Sequence, residues 1–347
     1  MNYAEVNKRR GPQDIAGSMQ RRDLLGRGLA LLAAAEAATL DLSAHTSDEV
    51  SAGAEQSSHH WFPDFEAFRI STPEATINGV KGGHGPPLLL LHGYPETHLE
   101  WRRVAPVLAR RFTVVATDLL GYGDSSVPAD GDNHEGYSKR SMASYQVAVM
   151  RHFGFERFAL IGHDRGGRVA HRLALDHPDV VSHLAVLDIV PTYTVFSSVT
   201  EVTASGYYFW FLMKQAAPLP ETLIGNSADF YLRNALFRGF IPKFVPEEIY
   251  AQYLRRFQTP ARQHAMCEDF RASATIDLDH DKKDLDVKLQ CPLLALWSPT
   301  GAAALYDVLA SWRARASNVH GKPLSGGHWL PEQLPDEVNA ELLSFLS

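Results

Sequence analysis

The chain predicts an α/β protein with a mostly parallel eight-stranded sheet, flanked by helices and interrupted by an inserted helical cap. Three observations lead there. Short apolar runs alternate with amphipathic stretches from Phe65 onward, most of the runs are apolar throughout, and one long helical interval breaks the order. "FEAFRIST" and "ATINGVKG" read as an antiparallel opening hairpin. "PLLLLHG", "FTVVATD", "RFALIGHD", "HLAVLDIV", "PLLALWS" and "NVHGKPLSG" read as core strands, because a strand covered by helices on both faces is apolar along its whole length. Helical spacing falls on residues 100–111, 141–153, 166–176, 302–316 and 335–346.

The interval from Thr192 to Lys283 separates two neighbouring strands and is far longer than an ordinary loop. Its own content is helical and aromatic: "YYFWFLMKQ", "FYLRNALF" and "EEIYAQYLRRF". It is read as a cap, residues 192–283, inserted between core segments 61–191 and 284–347. Near its end "DLDHDKKDLD", Asp277 to Asp286, spaces carboxylates as a calcium loop does, but Lys282 takes the glycine position and no closing glutamate follows. That stretch is read as a solvated face.

With 347 residues and 45% hydrophobic content, the chain suffices for one large α/β domain with an insertion. Its 33 basic and 40 acidic residues are mixed, for a net charge of −7, so no basic stripe offers itself to nucleic acid. Cys267 and Cys291 do not suggest a disulfide framework, and the 16 histidines show no metal-ligand spacing, most of them reading as surface or capping residues. At the N-terminus, "MQRRDLLGRGLALLAAAEAA" sets Arg21 and Arg22 ahead of a short apolar run, and resembles a twin-arginine export signal followed by a polar spacer to residue 60. This predicts a periplasmic or secreted protein; an untargeted tail would leave it cytoplasmic, and Met19, just before the arginines, is an alternative start to Met1. The run is too short for a membrane anchor.

The chemistry centres on "GHDRG", Gly162 to Gly166, which follows an apolar strand and opens a helix. This is the nucleophile-elbow pattern with aspartate in the serine position. "SGGHWLP" places His328 in a Gly-rich loop after the last strand, and "AVLDIVP" places Asp188 at the end of the strand after the elbow. Asp164 is the expected nucleophile, His328 the base that activates water, and Asp188 the group that orients the imidazole. "HGYP" follows the first long core strand, so the amides of Tyr94 and Arg165 are the expected charge-stabilising donors. Arg165 and Arg168, three places apart at a helix start, form a cationic fork suited to a carboxylate. Aspartate suits attack at an sp3 carbon, since its alkyl ester can be hydrolysed whereas a serine would leave a stable ether.

From about Phe65 to Leu346 the sequence resembles an α/β-hydrolase, specifically the fluoroacetate and haloacetate dehalogenase family. Relatives such as haloalkane dehalogenases and epoxide hydrolases usually carry tryptophan after the nucleophile; this chain has Arg165, and "DRGGR" matches the family signature that grips the substrate carboxylate. The resemblance implies a small-haloacid substrate, no cofactor and no metal, and a homodimer. It also aligns Phe209, Trp210 and Phe270 with the halide pocket, where the family has histidine, tryptophan and tyrosine donors. Two of three donors are absent, which predicts a preference for chloro- or bromoacetate over fluoroacetate. An epoxide hydrolase would use the same Asp-His-Asp set with cap tyrosines, for which Tyr207, Tyr208, Tyr231, Tyr250 and Tyr253 are candidates, but a buried Arg165 would then lack a partner. A non-catalytic binder of small carboxylates would keep the arginines and be indifferent to His328.

Overall fold

Eight strands form one sheet in the order β1-β2-β4-β3-β5-β6-β7-β8. They are β1 (Phe65–Ser71), β2 (Thr76–Gly83), β3 (Pro87–Leu91), β4 (Thr113–Thr117), β5 (Phe158–His163), β6 (Val181–Leu187), β7 (Leu293–Trp297) and β8 (Val319–Pro323). The first two pair antiparallel, β2 also runs antiparallel to β4, and every other pairing is parallel. The structure is a computed structural model that describes residues 60–72, 74–237 and 241–347. The export-signal and spacer reading of residues 1–60 thus lies outside the described residues, His60 excepted.

The continuous apolar runs have a simple cause in this sheet. Leu88, Leu90, Val114, Ile161 and Leu296 face one helical layer, while Leu89, Leu91, Val115, Leu160 and Val186 face the other, so both parities are buried. The outer strand β8 is half solvated and carries the Lys322–Glu341 ion pair. Between β6 and β7 the chain passes through helices from Thr192–Ser197 to Ile276–Lys283. Among these, Pro260–Ala274 is buried on most sides, which explains why its sequence shows no clear polar face. No described helix is long and apolar enough to cross a membrane.

Three expectations need correction. The helix expected over 100–111 is a 3-10 turn, His98–Arg103, then a single turn, Ala105–Leu108, where Pro106 has no amide hydrogen to continue the earlier ladder. The helix over 302–316 splits into Ala302–Leu305 and Val308–Arg313, because Asp307 caps the second piece by accepting from the Ala310 amide at 2.9 Å. The acidic stretch after Asp277 is only half solvated. Asp277 and Asp281 turn inward, where they accept hydrogen bonds from the amides of Lys139 (2.8 Å) and Tyr193 (3.2 Å).

Burial, reinforced by Asp277, pushes the Asp281 carboxyl up to about 6 despite Arg315 and Arg172 nearby. A carboxyl raised on folding favours its protonated form, so its stabilising contribution is complete below about pH 4 and is lost as pH rises through about 6. Asp281→Asn should therefore stabilise the fold at pH 8, by on the order of 1–3 kcal/mol, and give no gain at pH 4. Urea unfolding at the two pH values checks this.

Candidate active site

β5 ends at His163, and Asp164 begins the helix Asp164–Asp176 with φ 40, in the left-handed region. Glycine is needed on both sides. A Cβ at Gly162 would lie 2.5 Å from the Gly166 carbonyl oxygen, and one at Gly166 would lie 2.3 Å from the Leu91 carbonyl oxygen. The helix start thus presses against β3 and β5, and Asp164 stands at the turn. The Tyr94 amide donates to its Oδ2 at 3.2 Å. Burial alone would raise the Asp164 carboxyl, but His328, Arg165 and Arg168 outweigh it and hold the group below its usual value.

His328 and Asp188 come together. Nδ1 of His328 lies 2.5 Å from Asp188 Oδ2, while Asp188 Oδ1 accepts from the Ser298 amide at 2.8 Å. With Nδ1 occupied, the other imidazole nitrogen remains for proton transfer. Asp188 itself sits at φ 51, immediately past β6. Behind the elbow, His163 holds this arrangement in place: its Nε2 lies 2.9 Å from the His328 carbonyl oxygen and its Nδ1 2.9 Å from Glu100 Oε1, with Glu96 at 3.5 Å. Burial would lower the His163 imidazole, yet Glu100 and Glu96 carry it well above its usual value. His92, His98, His163 and His171 are all buried and so stand apart from the surface or capping role expected of most of the histidines.

The two arginines are not equivalent. Arg165 is fully buried and already paired: its Nε and Nη2 donate to the two Asp269 oxygens at 2.8 and 2.7 Å, and Nη2 also reaches Ser273 Oγ at 2.6 Å. Lys139 and the Tyr122 hydroxyl complete the surroundings of Asp269. The expectation that a buried Arg165 would lack an internal partner is therefore wrong, because the cap supplies one. Arg168 is 2% exposed, and its Nη1 donates only to neutral oxygens, Val190 O at 2.9 Å and Thr192 Oγ1 at 3.2 Å. Among the described residues, Arg165 Nη1 and Arg168 Nε and Nη2 are buried without a hydrogen-bond partner.

Aromatic rings enclose these cations. Arg168 lies 4.3 Å over Trp210, and Arg165 lies 5.0 Å over Trp210 and 4.2 Å over Phe270. The Trp210 Nε1 is buried with no hydrogen-bond partner among the described residues. Phe209 is half-buried and stacks on Tyr94 at 6.0 Å, and Phe270 meets the same Tyr94 ring edge-on at 5.2 Å. Phe209, Trp210, Phe270 and Tyr94 thus form one aromatic cluster, with Trp210 and Phe270 against the arginines. Tyr94 therefore contributes both its amide and its ring.

Among the described residues, two groupings have a donor set a metal could use: Glu96, Glu100 and His163 behind the elbow, and Asp130, His264 and Glu268 elsewhere. The first is engaged by its own contacts, since His163 uses both nitrogens and Glu100 Oε2 accepts the Gly93 amide at 2.8 Å. Sequence reading missed Asp269, Lys139, Ser273, Glu96, Glu100 and His163. The first three lie far from "DRGGR" in the chain; Glu96 adjoins "HGYP" and His163 lies inside "GHDRG", where a charged neighbour was the available signal.

Asp269→Asn should lower the unfolding free energy by about 3–5 kcal/mol, because it leaves Arg165 and Lys139 buried without their shared counter-charge. Denaturant melts of the variant beside the parent chain would show it.

Residues 86–333 match the family model described as alpha/beta hydrolase fold. A fluoroacetate dehalogenase from Burkholderia sp is 44% identical over 291 residues, covering 82% of this chain and 95% of the relative. A soluble epoxide hydrolase from Corynebacterium sp is 33% identical over 288 residues, covering 80% and 98% respectively. Among solved structures, a variant of a Pseudomonas aeruginosa protein with bound MFA superposes with a TM-score of 0.76 at 44% identity, over 82% of this chain and 96% of that one. The chain belongs to the α/β-hydrolase family, in its fluoroacetate and haloacetate dehalogenase branch.

Proposed function

We propose that this protein hydrolyses the carbon–halogen bond of small 2-haloacids through an aspartyl ester, favouring chloro- and bromoacetate over fluoroacetate. The observation that carries the reading is Arg168: a buried cation with no carboxylate in contact, whose two unpartnered nitrogens, Nε and Nη2, belong to a residue one helical turn from Asp164. An isolated buried charge is costly, and an anionic substrate would supply what the protein withholds. The likeness to a fluoroacetate dehalogenase supports the same substrate class.

In this reading Arg168 and Arg165 Nη1 hold the substrate carboxylate and set C2 in line with Asp164. A carboxylate oxygen of Asp164 attacks C2, and the carbon–halogen pair leaves with the halide. Asp164 has then lost its charge, so Arg168 depends on the substrate carboxylate alone, which keeps the ester bound. His328 takes a proton from water, and the hydroxide oxygen adds to the ester carbonyl carbon, where the Tyr94 amide accommodates the negative charge. Collapse expels the 2-hydroxyacid oxygen, which recovers the proton from His328, while Asp188 stabilises the transient imidazolium. Stereochemical inversion at C2 follows from the in-line attack.

Halide preference rests on what surrounds the leaving group. Trp210 Nε1 is an available donor, whereas Phe209 and Phe270 have none. A hydrogen bond to a charged group contributes about 1.5–3 kcal/mol, and two such losses slow departure of fluoride by on the order of a hundredfold or more. Chloride and bromide are better leaving groups and depend less on donors. A second reading, epoxide hydrolysis, gains from one observation: Asp269 neutralises Arg165, so Arg165 no longer opposes a neutral substrate.

Halide release from fluoroacetate, chloroacetate, bromoacetate and a neutral haloalkane tests the proposal directly. Release of chloride and bromide from the acids alone is expected, with Asp164→Asn lowering it on the order of a thousandfold or more. Turnover of terminal epoxides without any halide release would favour the second reading. The double variant Phe209→His with Phe270→Tyr should raise defluorination about tenfold or more relative to dechlorination. An unchanged fluoride-to-chloride ratio would remove the donor argument.

A further inference from the structure

Behind the elbow, one fully buried carboxylate joins the two segments on which ester hydrolysis depends. We infer that Glu100, in the His98–Arg103 turn, is a positioning residue for hydrolysis of the aspartyl ester, holding the Tyr94 amide through Gly93 and the His328 loop through His163. The inference rests on the aspartyl-ester reading above and adds to it a division of labour between the two half-reactions.

Each link is a short contact. Glu100 Oε2 accepts the Gly93 amide at 2.8 Å, and the next amide along, that of Tyr94, donates to Asp164. Glu100 Oε1 lies 2.9 Å from His163 Nδ1, and His163 Nε2 donates to the His328 carbonyl oxygen at 2.9 Å. A carbonyl only accepts, so Nε2 carries hydrogen, and carboxylates against Nδ1 favour hydrogen there as well. Burial opposes this, yet Glu100 and then Glu96 carry the imidazole well above its usual value. Glu96 does not share the role of Glu100: it lies 3.5 Å from Nδ1, and neither of its oxygens has a hydrogen-bond partner among the described residues. Space is equally tight. A Cβ at Gly93 would lie 2.8 Å from His163 Nδ1 and 3.0 Å from Asp164 Cβ, so a shift of Gly93 is felt at once by the elbow.

The attacking side of the site is fixed by other means. Gly162 and Gly166 set Asp164, and Asp269 holds Arg165; neither arrangement includes Glu100. Ester formation draws on those groups, whereas ester hydrolysis draws on His328 and the Tyr94 amide. Misplacing a reacting group by about 1 Å costs on the order of a hundredfold. Loosening Glu100 therefore slows the second half-reaction more than the first.

The test is single-turnover and steady-state chloride release from chloroacetate by the full chain, with mass analysis of the peptide that bears Asp164. Glu100→Met removes both contacts at similar side-chain length. Glu100→Gln keeps an acceptor for the Gly93 amide and a donor toward a neutral His163, and His163→Asn is too short to bridge Glu100 and the His328 carbonyl. Glu100→Met and His163→Asn should release the first equivalent of chloride within about threefold of the parent rate. They should then turn over about tenfold or more slowly, while a carboxymethyl group accumulates on Asp164. Glu100→Gln should return turnover to within about threefold of the parent. His328→Gln is the reference, since it blocks hydrolysis directly and should hold the ester. Absence of ester in His328→Gln would overturn the aspartyl-ester reading and the inference with it. Ester in His328→Gln but none in Glu100→Met and His163→Asn would overturn the inference alone. Equal slowing of both half-reactions, or a Glu100→Gln chain as slow as Glu100→Met, would do the same. Circular dichroism and thermal melting verify folding; if Glu100→Met does not fold, His163→Asn carries the test, since it leaves the Glu100–Gly93 contact in place.

Discussion

The backbone turn at Asp164 is the constraint on which the rest of the site depends. The helix can begin where it does only because Gly162 and Gly166 let main chain meet main chain at distances that a Cβ would forbid. That approach forces a non-glycine residue to φ 40 and leaves its side chain at the strand end, beside the Tyr94 amide. It also sets the direction of the next turn of helix, so that Arg165 points inward and Arg168 follows it on the same side. A carboxylate, two guanidiniums and a backbone donor are thereby fixed by one local geometry.

Fixing them there means burying charge, and the surrounding structure divides that burden unequally. Arg165 is neutralised by Asp269, which also receives Lys139 and the Tyr122 hydroxyl. Such a network satisfies nearly every polar atom and holds the guanidinium rigidly. Arg168 receives neutral oxygens and an indole face instead. One arginine is therefore part of the scaffold with one nitrogen, Nη1, left over, and the other retains most of its unmet demand for an anion.

A second buried ionic group supports the opposite side of the elbow. His163, its imidazole raised above the usual range by Glu100 and Glu96, reaches across to the main chain of the His328 loop, and the two imidazoles stand 4.7 Å apart. The loop that carries the proposed base is thus tied to the residue that immediately precedes the proposed nucleophile.

Much of this was legible in the chain. Continuous apolar runs announced strands buried on both faces, and "GHDRG" between a run and a helical stretch announced the elbow, because sterics at a tight turn leave few residue choices. Asp188 and His328 were readable from their positions at strand ends, since parallel strands deliver such positions to one edge. Residue type and local spacing thus determined the fold class, the Asp164, His328 and Asp188 set and the presence of two arginines near it. Tertiary structure alone decided how those arginines differ, that Asp269 is spent on one of them, that Asp277 and Asp281 face inward, and that His163 is an ionic anchor. These outcomes depend on which charges meet in the interior, and the energy of a buried charge is set by neighbours about a hundred residues away in sequence, as Asp269 is from Arg165.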